Sequence, residues 1–457
     1  MKIKRALPAV VALTLGGLFL SCSNPATPIR SYQPVAEKII QTALADTAAF
    51  DRLAYLVDTF GPRLSGSDNL ELAIDWALEE LEKTGLENVR SEPVMVPHWV
   101  RGRESLTLLE PRETSLALLG LGGSIGTPPE GLTAEAVVVR NFDELQQKAA
   151  LIPGKIVIYN EPFTTYGKTV RYRYGGAIEA ARYGAVASLI RSVGPVSLNT
   201  PHTGGMAYND TIPKIPQAAI TIEAAEMLQR MYDRGQTIRL QLNMEARTLP
   251  DAPSRNVIAE LRGTEKPDEV VILSGHLDSW DVGQGAMDDA SGCVASWEAV
   301  RLLKELGFRP RRTIRVIFWT NEENGTRGGK TYAREYADDL AQHVLAIETD
   351  EGVFTPSGFG FTGSEDALTI LSAIGILLKP IQAGVITKGG GGADITAMHQ
   401  QGVPVAGLRV DDSHYFWYHH TDADMMDKLN RDDFNRCVAA LAVMSYVVAD
   451  LPDPLPR

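Results

Sequence analysis

The chain has 457 residues, a formal net charge of −13, 44% apolar and 22% charged side chains. That length exceeds one ordinary compact core and calls for two domains plus a leader, and the balance excludes a disordered or fibrous chain. The acidity is spread along the sequence with no basic stripe, which excludes a nucleic-acid partner.

Lys2, Lys4 and Arg5 precede an apolar run over 6–20, followed by Ser21 and Cys22. A basic start, a short apolar stretch and a small residue make a secretory signal over 1–21. The run is too short for a membrane span, and Pro8, Gly16 and Gly17 interrupt it. Cys22 resembles the lipid-attachment cysteine of a bacterial lipoprotein. An exported protein follows: periplasmic or anchored at the outer membrane in a bacterium, otherwise secreted, with that lipid as its single membrane contact. The polar, proline-containing stretch 22–34 reads as a tether. Cys293 and Cys437 sit in amphipathic helical patterns, so they read as small buried apolar residues and not as a disulfide framework.

Apolar residues at 70, 74, 77, 78 and 81 predict a helix that stops near Gly85. Segment 111–250 has another texture. Short β-type runs at 137–139, 155–159 and 186–190 alternate with Pro and Gly punctuation and an Ala-rich helix around 178–183. It reads as an inserted β-rich module between two parts of one domain, 35–110 and 251–457. In the last part, strands at 270–274, 314–319, 344–347 and 403–408 alternate with helices such as 291–306, and the chain closes on a packing helix at 432–450. That alternation predicts an α/β fold with a mostly parallel, mixed sheet covered by helices on both faces.

Chemistry concentrates in five short segments around His276 and Asp278, Asp288, Glu322 and Glu323, Asp350, and His419 and His420. Four directly follow a predicted strand or lie in a strand-to-helix turn, the edge where open parallel sheets bind ligands. Each alone has an ordinary explanation: a hydrogen-bonded histidine, a helix cap, a solvated carboxylate. Together they crowd acid at one edge, which is costly without a cation. Imidazole and carboxylate donors suit zinc. The expected set is two ions held by His276, Asp288, Glu323, Asp350 and His420, with Asp288 shared between ions about 3.5–4 Å apart. Asp278, two residues beyond His276 on an extended segment, is expected to accept the ring N–H, and Asp424 to do the same near His420. Only one of His419 and His420 should face inward if their segment is extended. Glu322, diverging from Glu323, is the expected general base.

The string SGHLDSWDVGQGAMDD over 274–289 resembles peptidases of the carboxypeptidase Q type, within the di-zinc aminopeptidase/glutamate carboxypeptidase family. SLIRSV at 188–193, PHTG at 201–204 and FWYHH at 416–420 share the resemblance, which covers most of the chain after the tether. It implies a zinc exopeptidase fold with a protease-associated insertion, a catalytic Glu322, a cis peptide after Asp288, dipeptide substrates and a homodimer. Arg327 and the four glycines before Ala393 depart from the pattern, and the glycines suggest a mobile loop.

The expectation is hydrolysis of a peptide bond near a chain end, of carboxypeptidase type by resemblance. The rivals are an aminopeptidase with the same metals, a dead receptor-like binding protein on this scaffold, and an acyl-cyclising enzyme with one zinc. A substrate carboxylate needs a cation or a donor cluster. His202, Arg409, His414 and Tyr415 are the unranked candidates.

Overall fold

The structure is a computed structural model that describes residues 29–457. The leader, Cys22 and the tether up to residue 28 lie outside the described residues. Among the described residues, no helix is long and apolar enough to cross a membrane.

Two eight-stranded sheets organise the described residues. At the centre of the first, Arg312–Trp319, Lys266–His276, His343–Glu348 and Val405–Val410 run parallel, in that spatial order. Antiparallel neighbours flank them: Arg247–Leu261 on one side and Pro356–Thr362 on the other. The sheet is therefore mixed, as the alternation of strands and helices predicts. Successive side chains of a strand point to opposite faces. Val271 and Leu273 enter the core beneath the long helices, while Val270 and Ile272 enter the core on the other face.

Ser291–Glu305 and Arg431–Asp450 pack on the first of these faces with Gln33–Ala45 and Ala48–Phe60. Cys293 and Cys437 are unpaired and fully buried there. Trp297 is fully buried against Trp76 and Phe318, so truncating it to alanine should cost about 3–5 kcal/mol. The helix expected over 70–81 spans Asp68–Lys83, because the Ser67 side chain accepts from Leu70 N–H and caps it. Gln33–Ala45 begins inside the stretch read as tether, where Pro34 sits in the first turn and favours helix.

The second sheet takes strands from Glu104–Glu110 through Arg239–Met244. Its parallel centre is Leu132–Val139, Ile156–Tyr159, Ala187–Arg191 and Gln217–Ile220. It buries separate apolar clusters on its two faces. Its strand Glu104–Glu110 precedes residue 111. The two modules are joined by the long antiparallel pair Glu87–Val100 and Arg247–Leu261.

Two positions of the glycine-rich loop make close approaches to the peptidase sheet. A Cβ on Gly392 would collide with the Glu348 carboxyl, and one on Gly390 with the backbone of Gly360. Close approach at Gly390 and Gly392 and positive φ at Gly389 and Gly391 both favour glycine there. Arg327 pairs with Asp251 and donates to the Met95 carbonyl, which ties its helix to the strand pair joining the modules.

Candidate metal centre

In the parallel register His276 lies opposite Trp319, and Ser274 opposite Glu348. The segments after these strands therefore leave the sheet at one edge, carrying Glu322, Glu323 and Asp350. Asp288 comes from the turn Ala286–Ala290 that opens the long helix, and the Asp288–Asp289 peptide is cis. The Asp424 carboxylate holds this turn by accepting from the N–H groups of Ala286, Met287 and Asp288 at 3.1, 2.7 and 3.2 Å.

The five residues expected as metal ligands converge. His276 Nε2 lies 3.1 Å from Asp288 Oδ1 and 3.1 Å from Asp350 Oδ1. His420 Nε2 lies 3.4 Å from Asp288 Oδ2 and 3.1 Å from Glu323 Oε2. Asp288 thus presents one oxygen to each histidine. Asp289 also comes near His276 and Asp350, and His419 near Asp288 and His420. The Asp289 oxygens, however, accept from the backbone N–H groups of His276 and Gly292. His419 stacks on His420 with ring centroids 3.5 Å apart.

Three expectations change. The Asp278 carboxylate does not take the His276 ring proton: the Asp278 main-chain carbonyl does, 2.8 Å from Nδ1. The strand ends at His276, so the alternation argued from an extended segment stops there. The Asp278 carboxylate instead accepts from Glu322 and Glu323 N–H at 3.0 and 3.3 Å, fixing the turn that carries both glutamates. Asp424 holds the Asp288 turn and makes no contact with the His420 ring, whose Nδ1 meets the Thr203 carbonyl at 3.3 Å. Both His419 and His420 face the cavity, because His420 is left-handed at φ 61° and the segment is not extended.

A cavity of about 400 Å³ opens over the cluster. Asp288, Glu322, Glu323, Asp350, Glu351 and Asp412 line it, against a single guanidinium, Arg173, with Tyr166, Tyr415, Phe416, His419 and His420 beside them. Of the four candidates for substrate binding, only Tyr415 is among these. His202 is buried, with Nε2 3.2 Å from the Val196 carbonyl, and burial lowers its pKa to about 4. Arg409 pairs with Glu351 at 3.5 Å. His414 stacks edge-on against Trp417.

Arg173 and His419 are the residues that sequence reasoning missed. Arg173 lies on the helix Tyr166–Arg182 of the second sheet's module and reaches the cleft only through tertiary packing. The FWYHH string pointed to His419, but adjacency could not say that both rings turn inward.

The electrostatics ask for positive charge. Burial raises Glu322, Glu323 and Asp289 well above the usual carboxylate range, and neighbouring carboxylates add to the shift. Burial opposes charge on His276, but hydrogen bonds accepted by the Asp288 and Asp350 carboxylates outweigh it and hold that imidazole's pKa well above normal. Burial lowers His419 to about 3. Glu323 Oε1 is buried without a partner. Mutual repulsion among acids, an orphaned carboxylate oxygen and a His420 imidazole that burial keeps neutral are what a divalent-cation donor set shows.

Residues 256–445 match the model of peptidase family M28. The chain is 51% identical to carboxypeptidase Q of Xenopus laevis over 94% of its own length and 92% of that protein's. The crystal structure of a peptidase M28 precursor from Shewanella amazonensis superposes with a TM-score of 0.90 at 35% identity, over 94% of this chain and 99% of that one. A zinc aminopeptidase of Bacillus subtilis shares the fold, with a TM-score of 0.68 at 21% identity over 89% of this chain and 98% of that one. With identity above one half across nearly the whole chain, and a site built on the matched region, the protein belongs to peptidase family M28, among the carboxypeptidase Q relatives.

Proposed function

We propose that the protein is a di-zinc exopeptidase that hydrolyses dipeptides or short peptides, with carboxypeptidase-type action. The observation that carries this reading is Asp288, whose two oxygens lie 3.1 and 3.4 Å from the Nε2 atoms of His276 and His420. His276, Asp288 and Asp350 would hold one ion, and His420, Asp288 and Glu323 the other. Imidazole with carboxylate is a zinc donor set. When bound there, zinc lowers the pKa of water toward neutrality and polarises the scissile carbonyl.

The chain's own residues do the rest. The Glu322 side chain is 18% exposed to the cavity while that of Glu323 is 3% exposed. Glu322 is thus free to take a proton from the attacking water and return it to the leaving amine. Glu323 is committed to the buried cluster. The Asp278 carboxylate holds the backbone of both.

Arg173, the guanidinium of an otherwise acidic cavity, suits the carboxylate of a substrate's free end, and Tyr415 lines the same cavity. Glu351 and Asp412 on the same cavity wall favour the second reading, in which they hold a free amino terminus and the enzyme is an aminopeptidase. Dipeptides blocked at one end separate the two. Cleavage of amino-blocked substrates alone supports carboxypeptidase action, and cleavage of carboxyl-blocked substrates alone sinks it.

The leader over 1–21 supports export and Cys22 supports a lipid anchor. The homodimer rests on the family resemblance. Lipid labelling of wild type and Cys22→Ser, and the molar mass in solution, test these two points.

A further inference from the structure

The 201–204 stretch plays no part in the proposed chemistry, yet it touches the centre. Thr203 N–H donates to the His420 carbonyl at 2.9 Å, and the Thr203 carbonyl lies 3.3 Å from His420 Nδ1. One residue of the second sheet's module therefore grips both the main chain and the ring of His420. The grip falls on a residue held at φ 61°, a conformation that non-glycine residues adopt at a cost.

The proton assignment follows from the donors present. Arg173 Nη1 also lies 3.3 Å from His420 Nδ1 and 3.3 Å from the Thr203 carbonyl. A guanidinium only donates and a carbonyl only accepts. If Arg173 donated to Nδ1, Nε2 would carry the ring proton and could not serve as a ligand. If Nδ1–H donates to Thr203, the Nε2 lone pair faces Asp288 and Glu323, and Arg173 donates to the same carbonyl. Only the second arrangement is compatible with a metal ligand.

Thr203 is itself held firmly. It is fully buried, its hydroxyl donates to the Gly120 carbonyl at 2.8 Å, and Arg101 donates to that hydroxyl at 3.4 Å. Arg101 in turn binds Asp281 of the peptidase sequence through Nε at 2.8 Å. Gly204, at φ 134°, has no room for a Cβ, which would overlap the Arg173 guanidinium.

We infer that Thr203 is a positioning residue for the second metal half: through its main chain, the inserted module sets the tautomer and orientation of His420. The inference rests on the di-zinc reading above.

The test is competition titration of zinc against a chelator, ion by ion, with the melting of the metal-free protein as a check on folding. Thr203→Pro removes the N–H donated to His420. It should weaken one of the two ions by about tenfold to a hundredfold and leave the other unchanged. Thr203→Ser, which keeps both main-chain bonds and the hydroxyl, should bind both ions like wild type. Should Thr203→Pro fail to fold, Thr203→Val decides, since it frees the residue from Gly120 and should weaken the same single ion severalfold. Wild-type affinity for both ions in a folded Thr203→Pro or Thr203→Val overturns the inference, as does equal weakening of both ions. A wild-type protein that does not bind two zinc ions would instead overturn the di-zinc reading itself.

Discussion

The two halves of the metal centre use the same kinds of atom but differ in construction. In the His276 half, the ring proton goes to the carbonyl of Asp278, two residues along the same segment. Its carboxylate partners, Asp288 and Asp350, come from the turn and loop beside neighbouring strands of one sheet. In the His420 half, the ring proton goes to Thr203, which is 217 residues away and belongs to the other sheet's module. Local geometry secures the first half and tertiary docking the second. A site on strand ends is rigid by default, whereas one that needs a second module inherits that module's placement. Asp288 and Glu322 stand outside the contrast, the first common to both halves and the second committed to neither.

Substitutions at these positions probe the contrast, beginning where the loss should be greatest. Asp288→Asn removes the shared bridge and should deprive both halves of metal. Metal analysis should find less than half of the wild-type zinc, with turnover below that of any other single variant; near-normal zinc would remove Asp288 from the bridging role. Glu322→Gln should keep both ions and lose turnover by about a hundredfold to ten-thousandfold, the range for a general base. Retained activity in a dipeptide assay would rule out the assigned base.

Asp350→Asn and Glu323→Gln each strike one half. Each should lose one ion of the two in a stoichiometric metal assay, and loss of both ions in either variant would mean that the halves are not separable. Adding zinc to the metal-free protein should stabilise it by about 4 kcal/mol for a site at a thousandfold excess over its Kd. Melting curves read this directly, and Glu323→Gln should show the smaller shift of the pair with wild type.

The smallest expected effect is on pH dependence without metal. Burial raises Glu348 to about 8 and Asp424 to about 7. The folded metal-free protein therefore holds protons that the unfolded chain has released, and stability should fall as pH rises from about 5 toward about 8. Glu348→Gln should flatten that slope, and an unchanged slope in thermal melts would show that Glu348 does not titrate there.

Much of the cluster was legible in the sequence. His276 ends a strand, Glu322, Glu323 and Asp350 follow strands within a few residues, and parallel strands of one sheet end on one side, so order along the chain implied convergence. The helix over Asp68–Lys83 was legible for a similar reason: its apolar spacing and its Ser67 cap are local signals. The Asp278 carboxylate was misread because the period-two alternation was extended past the end of the strand. The close approaches in the glycine loop were not legible because glycine signals freedom and close packing alike, and only the Glu348 carboxyl against Gly392 reveals the packing.

By itself, then, the amino-acid order determined which residues end strands, which faces are apolar and which side chains can bind a cation, since these depend on neighbours a few positions away. Only the tertiary structure decided that Arg173 and Thr203 reach the cleft, that His419 and His420 turn inward together and that a carbonyl of the other module meets the His420 ring. Those contacts join positions hundreds of residues apart, and no local spacing carries information about how two sheets dock.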